Sequence, residues 1–197
     1  MASMFWYGIL GFVSMFLYGL NSVEKYSDRM SSLRMVGGGL VGLSLLEYIP
    51  SVEKELVPGG AIGFGILAAI FAVLLIYTNV IAADPGAWKR AAKQEQEPAK
   101  AELVDTGIYG ICRHPGVWWM VGLCLCLYVS GGMPWMTTML YIALYFAVTY
   151  YNDAEVYPET VPGYKNYKKR VNFLLPTFKK KEAPKAKTAK TGKGKKK

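Results

Sequence analysis

Long apolar runs alternate with short polar ones along this chain, and the runs are of membrane-spanning length. Residues 3–20 carry no charge and are rich in Phe, Trp, Tyr, Leu and Met. As a helix rising about 1.5 Å per residue they reach roughly 27 Å, close to the hydrocarbon thickness of a bilayer. The run is too long and too aromatic for a signal-peptide core, and neither a basic leader nor a small-residue cleavage site accompanies it, so a retained helix is expected. Residues 33–49, 61–83, 113–130 and 134–151 give four more candidate spans, of which 61–83 is the strongest. The run at 113–130 is short, and suits a tilted or re-entrant element as well as a full span. The pattern predicts an all-α protein, an integral membrane bundle of about five transmembrane helices with a C-terminal helical hairpin.

The polar segments sort by charge. Lys25, Arg29 and Arg34 lie at the first loop, and Lys89, Arg90, Lys93, Lys100 and Arg113 at the third. The second loop has only Lys54 among Glu53 and Glu55, and the fourth, residues 131–133, has no charge. Five spans with this alternation place the N-terminus outside or in a lumen, and the first loop, third loop and C-terminus in the cytoplasm. The membrane of a eukaryotic chain of this kind would be the endoplasmic reticulum, and Lys193 and Lys195 stand at dilysine retrieval spacing.

Net charge of +9 first suggests nucleic acid. Its distribution does not: residues 179–197 hold ten lysines and one glutamate, so residues 1–178 are formally neutral. The chain divides into a polytopic membrane domain, 1–178, and a Lys-rich tail, 179–197, too poor in apolar side chains to order itself. A solvated tail and contact with anionic lipid headgroups are its two readings; no aromatic interleaving or folded basic face points to nucleic acid. Cys112, Cys124 and Cys126 are odd in number and lack metal-site spacing, so neither a disulfide framework nor a metal site is expected. Gly37, Gly38, Gly39 and Gly42 form a small-residue surface in which Gly38 and Gly42 have small-xxx-small spacing, and they predict close helix packing rather than a phosphate loop. Glu47, at the end of the same run, reads as an interfacial residue.

Within the third loop, Asp84-Pro85-Gly86 signals a turn, residues 87–96 a short helix with Trp88 as interfacial anchor, and Pro98 its end. A loop of this length covers a site or serves as a solvated linker. Residues 130–134, Ser-Gly-Gly-Met-Pro, form a turn tight enough to make the last two helices an antiparallel hairpin. That hairpin brings Arg113 and His114, at its entry, near Asn152, Asp153 and Glu155, at its exit. With Tyr164 and Tyr167 these could complete a polar pocket; equally, Arg, His and Tyr at a membrane boundary serve as anchors or structural ion pairs.

The run Leu103-Val104-Asp105-Thr106-Gly107-Ile108-Tyr109, then Arg113-His114-Pro115, an apolar hairpin, and Gly163-Tyr164-Lys165-Asn166-Tyr167-Lys168-Lys169-Arg170-Val171 before Leu175-Pro176 resembles the C-terminal half of the isoprenylcysteine carboxyl methyltransferase and phospholipid methyltransferase superfamily. Residues 103–176 carry the likeness. It implies a membrane enzyme that uses S-adenosylmethionine on a lipid-like or prenylated acceptor drawn from the surrounding lipids. It also implies a cofactor pocket formed by Tyr109, Arg113, His114, Pro115, Gly116, Val117, Asp153 and Tyr164, with the Trp118-Trp119 pair as further wall. Asp153 and Arg170 are the expected catalytic residues, Arg170 orienting an anionic acceptor. The chain departs from the family at Val117 and Trp119, where Tyr and Gly are usual, at Asn152 and Asp153, where paired glutamates are usual, at Val148, where one branch has an acceptor-binding arginine, and at Asn172, which replaces a proline. These departures leave open a non-enzymatic scaffold or subunit keeping the fold. Membrane sterol reductases, which use NADPH, share the Arg-His-Pro hairpin in much longer chains.

Overall fold

The computed structural model describes residues 2–25, 30, 32–49, 59–82 and 103–176. The turn at 84–86, the short helix at 87–96, the loop with Lys54 and the Lys-rich tail lie outside the described residues. Among those described the fold is all-α, with no strand. Helix α1 is Ala2–Glu24, α2 Leu33–Leu46, α3 Gly60–Ile76, α4 Pro115–Val129, α5 Trp135–Tyr151, α6 Tyr157–Thr160 and α7 Tyr164–Arg170. A 3-10 turn, Gly107–Gly110, precedes α4.

Two segments, Met4–Glu24 and Gly60–Val80, are long and apolar enough to cross a membrane. Helices α2 and α4 are apolar but shorter, with 14 and 15 residues; at about 1.5 Å per residue they reach roughly 21–23 Å. Pro115 opens α4 as its first residue, where a missing N–H leaves no bond unmade.

Two helices widen toward their C-terminal ends, and the one expected over 134–151 runs on past that end. Helix α3 continues as a π-helical segment, Tyr77–Ala82, and α5 passes through a second, Asn152–Val156, directly into α6. The polar residues at 152–155 therefore do not end the helix. They sit on a widened turn of it, where the Asp153 carbonyl accepts from Lys168 Nζ.

Contacts between helices run in the order α2, α1, α5, α4, α3. The core lies where α1, α2, α4 and α5 meet, around Phe12, Val41, Met120, Cys124 and Tyr141. Tyr141 is fully enclosed; its hydroxyl donates to the Phe5 carbonyl, at 3.1 Å, and lies 3.1 Å from Ser44 Oγ. The α1–α2 approach uses Gly37, not Gly38 and Gly42. A Cβ at Gly37 would stand 2.6 Å from the Gly11 carbonyl oxygen, whereas none of the described residues comes within 4 Å of a Cβ placed at Gly38, Gly39 or Gly42. Of the predicted small-residue surface it is Gly37 that makes the contact, because the buried face of α2 carries Gly37, Val41 and Ser44.

The α4–α5 hairpin is as tight as its turn predicts. Gly131 N–H donates to Tyr128 O, and the Gly132 and Met133 N–H groups to Leu127 O, which satisfies carbonyls at the end of α4. Both ends of the hairpin consequently return to one end of the molecule.

Candidate functional site

At that end the chain gathers its buried charge. Asp153, on the π turn after α5, is 3% exposed and has four donors around it. His114 Nε2 lies 2.8 Å from its Oδ1, and the Tyr164 hydroxyl donates to the same oxygen at 2.6 Å. Arg113 Nε is 3.2 Å from Oδ1, and Lys168 Nζ is 3.1 Å from Oδ2. Lys168 Nζ also donates to the Asp153 carbonyl at 3.1 Å, and Arg113 donates back to the Lys168 carbonyl at 3.0 Å.

Local backbone structure fixes each of these groups. Arg113 and His114 lie directly ahead of α4, and their N–H groups donate to the carbonyls of Asn172 and Phe173, at 3.0 and 3.2 Å. Residues 172–174 thus lie as a strap across the start of α4, held a third time by Trp118 Nε1 donating to Leu174 O at 3.0 Å. Gly163, in the left-handed region at φ 83°, reverses the chain into α7, and Tyr164 and Tyr167 occupy the buried face of that helix.

Electrostatics follow from burial and partners. Burial pushes the Asp153 carboxyl up, but the hydrogen bonds from His114 and Tyr164 and the neighbouring cations outweigh it and hold the group well below the usual carboxylate range. Burial pulls the His114 imidazole below its ordinary value, against the pull of Asp153 and with the repulsion of Arg113 and Lys168. At neutral pH His114 is therefore neutral with Nε2–H donating, and Asp153 is charged. Arg113 and Lys168 against one carboxylate leave the cluster with a surplus positive charge.

The predicted site residues divide into three groups. Arg113, His114, Asp153 and Tyr164 come together as described, and Pro115 opens α4 directly after His114. Tyr109 turns elsewhere: its hydroxyl donates to the Thr78 carbonyl at 2.5 Å, in the π segment after α3, while its own carbonyl accepts from Tyr167 at 2.6 Å. Gly116 sits between α3 and α5, where a Cβ would stand 2.6 Å from the Tyr145 hydroxyl and 3.2 Å from Asn79 Nδ2; those two side chains bond each other at 3.0 Å. Arg170 pairs with Asp105 at 2.9 Å and ties the two halves of the motif together. The two tryptophans diverge, Trp118 toward the strap and Trp119 against Phe71 of α3.

Sequence reasoning passed over Phe173 and Tyr157. The Phe173 ring is centred 4.8 Å from the His114 ring and 5.8 Å from the Arg113 guanidinium carbon. On its other side it meets Phe146 edge-on at 5.8 Å. The Tyr157 ring stacks parallel to His114 at 6.1 Å. An aromatic directly after Val171-Asn172 was the available signal.

Beside the cluster is a cavity of about 410 Å³, lined almost wholly by apolar groups. It lies between α4 and α5, with Val117, Trp118 and Phe146 in its walls and Leu174 of the strap at one side. Val117 faces this cavity, and Val148 is buried in the helix core. Among the described residues no group of three His, Cys, Asp or Glu side chains could hold a metal ion. Comparison with protein-family models, with curated proteins and with solved structures finds no match.

Proposed function

We propose that the chain is an integral-membrane S-adenosylmethionine-dependent methyltransferase acting on a lipid-borne or hydrophobic acceptor. The observation that carries this reading is the meeting of two polar segments, some 40 residues apart in sequence, in one buried cationic cluster directly beside an apolar cavity. A structural ion pair alone needs no such cavity. An enzyme joining a polar cofactor to an apolar acceptor needs both. In this reading the five apolar helices span the bilayer, the N-terminus is outside or lumenal, and the cluster lies at the cytoplasmic boundary.

The donor set suits the cofactor. Arg113 Nε is buried with no hydrogen bond, since its contact with Asp153 is not aligned for one. That donor would receive the carboxylate of the cofactor's amino-acid end. Phe173 and Tyr157, stacked about His114, would supply aromatic walls. Asp153 already has contacts at both carboxylate oxygens, so its role is to hold Arg113, His114, Tyr164 and Lys168 in place. S-adenosylmethionine itself supplies a methyl group already activated on a sulfonium. The demands left to the protein are proximity, exclusion of water and placement of charge.

Calorimetric titration with S-adenosylhomocysteine tests this. Micromolar binding by the wild type, weakened at least tenfold by Arg113→Gln and by His114→Ala, is expected; equal affinity in all three proteins sinks the assignment. A well-folded protein that fails to bind at millimolar concentration is instead a scaffold keeping the cluster as a structural ion pair.

A further inference from the structure

The cavity beside the cluster has an order to it. From Val121 through Ile142 and Val117 to Phe146 and Leu174 its lining is apolar. Next comes Phe173, whose ring meets Phe146 on one side and His114 and Arg113 on the other. Beyond Phe173 is the Asp153 cluster with its surplus positive charge. Met139 and Phe146, at the two ends of the α5 wall, are seven residues apart, so the groove extends about 10 Å along the helix at roughly 1.5 Å per residue.

We propose that this groove holds the hydrocarbon chain of an anionic membrane lipid, head toward Lys168, and that Phe173 is the positioning residue that fixes where chain gives way to head. The proposal rests on the membrane methyltransferase reading and deepens it by naming the acceptor's chemistry.

Three features favour this occupant. A volume of about 410 Å³ lies within the range of roughly 300–1,000 Å³ typical of small-molecule sites, which suits a single chain better than a protein segment. The apolar lining gives a peptide backbone no partners, whereas a hydrocarbon chain needs none. The cationic surplus lies at one end only, behind Phe173, so an amphiphile enters in one orientation. Phe173 is held by the strap, not by a helix: its carbonyl accepts from His114 and the next carbonyl from Trp118. Its ring is therefore tied to the residues it separates.

Trp118 lines the groove and reports on it. Full-length protein in detergent micelles is titrated with dibromostearate, and the bromine quenching seen in wild type but lost in Trp118→Phe is taken as the groove signal. Saturable quenching is expected. Ala143→Phe, which fills the groove, should weaken it at least tenfold; the methyl ester of the same chain should also bind at least tenfold more weakly, and Lys168→Gln should erase the difference between acid and ester. Phe173→Ala should shift the affinity optimum to longer chains; Phe173→Leu and Ala143→Leu serve in the same roles should either larger change reduce helical circular dichroism. Quenching that rises without saturating, indifference to filling at Ala143, or an ester that binds as well as the acid would each overturn the lipid assignment, and an unmoved chain-length optimum would overturn the role of Phe173. Saturable chain binding in a protein that ignores S-adenosylhomocysteine keeps the groove and removes the methyltransferase; cofactor binding without a chain site does the reverse.

Discussion

Asp153 shows how a charge is kept inside this protein. A carboxylate this deeply buried is unfavourable by several kcal/mol unless donors replace the water it loses, and here three side chains approach one oxygen and a fourth the other. Removing the charge leaves Arg113 buried with nothing to neutralise it. Asp153→Asn is expected to destabilise the protein by about 3–5 kcal/mol, as breaking buried pairs does, read as loss of thermal or denaturant midpoint. Pairing it with Arg113→Met should restore part of that loss. Two independent losses would instead show that the groups are uncoupled.

His114 gives the cluster a pH dependence of known sign. It is the protein's single histidine, and burial lowers its folded pKa. In the unfolded chain it takes a proton near its ordinary value of about 6.5; between that and the lower folded value the unfolded state binds more protons, so stability falls as pH falls. Asp153, with its folded pKa also lowered, adds a second loss only below about 3.9, where the unfolded carboxyl protonates. Stability measured from pH 7.5 to 5 should therefore decline below about 6.5. His114→Gln, which keeps a donor at the Nε2 position and cannot titrate, should flatten that decline; an equal slope in the variant would place its origin elsewhere.

At the scale of elements, the hairpin does most to make the site. Its turn and its two thresholds could be read from residues 130–134 and from the polar groups flanking the last two apolar runs, and connectivity alone required His114 to face Asp153. What could not be read was how the helix carries Asp153. Asn152, Asp153 and Glu155 look like a helix end by polarity, yet α5 continues through them, because a π turn changes which residues face inward without any change in composition. The second π segment, after α3, was hidden for the same reason, and with it the partners of Tyr109 and Gly116. Gly116 of α4 packs against α5 and the π segment after α3. Gly116→Ala would drive a methyl into the Tyr145 hydroxyl, and overpacking of this kind costs about 1–3 kcal/mol. Tyr145→Phe in the same chain should recover much of it, since the atom in the way is the hydroxyl oxygen. Failure of that rescue in a double-mutant cycle would locate the crowding at Asn79 or the backbone instead.

At the scale of the molecule, charge and burial together make the proposed orientation testable with the native thiols left in place. Cys112, Cys124 and Cys126 are free and buried, and burial raises the Cys112 thiol away from its reactive thiolate form. A membrane-impermeant maleimide should therefore leave the wild-type protein unlabelled in sealed cells or vesicles. Against that background, a cysteine placed at Ser3 and one placed at Thr191 report on the two ends of the chain. The alternation of basic loops expects Ser3→Cys to react from the non-cytoplasmic side and Thr191→Cys only once the membrane is opened. Labelling of both from one side would mean an even number of spans. Since among the described residues only Met4–Glu24 and Gly60–Val80 meet the length and hydropathy of a full crossing, that result would point to the short helix α2 or α4 lying within one leaflet. A reversed pattern would move the Asp153 cluster to the far side of the membrane from any cytoplasmic cofactor, and would remove the methyltransferase reading with it.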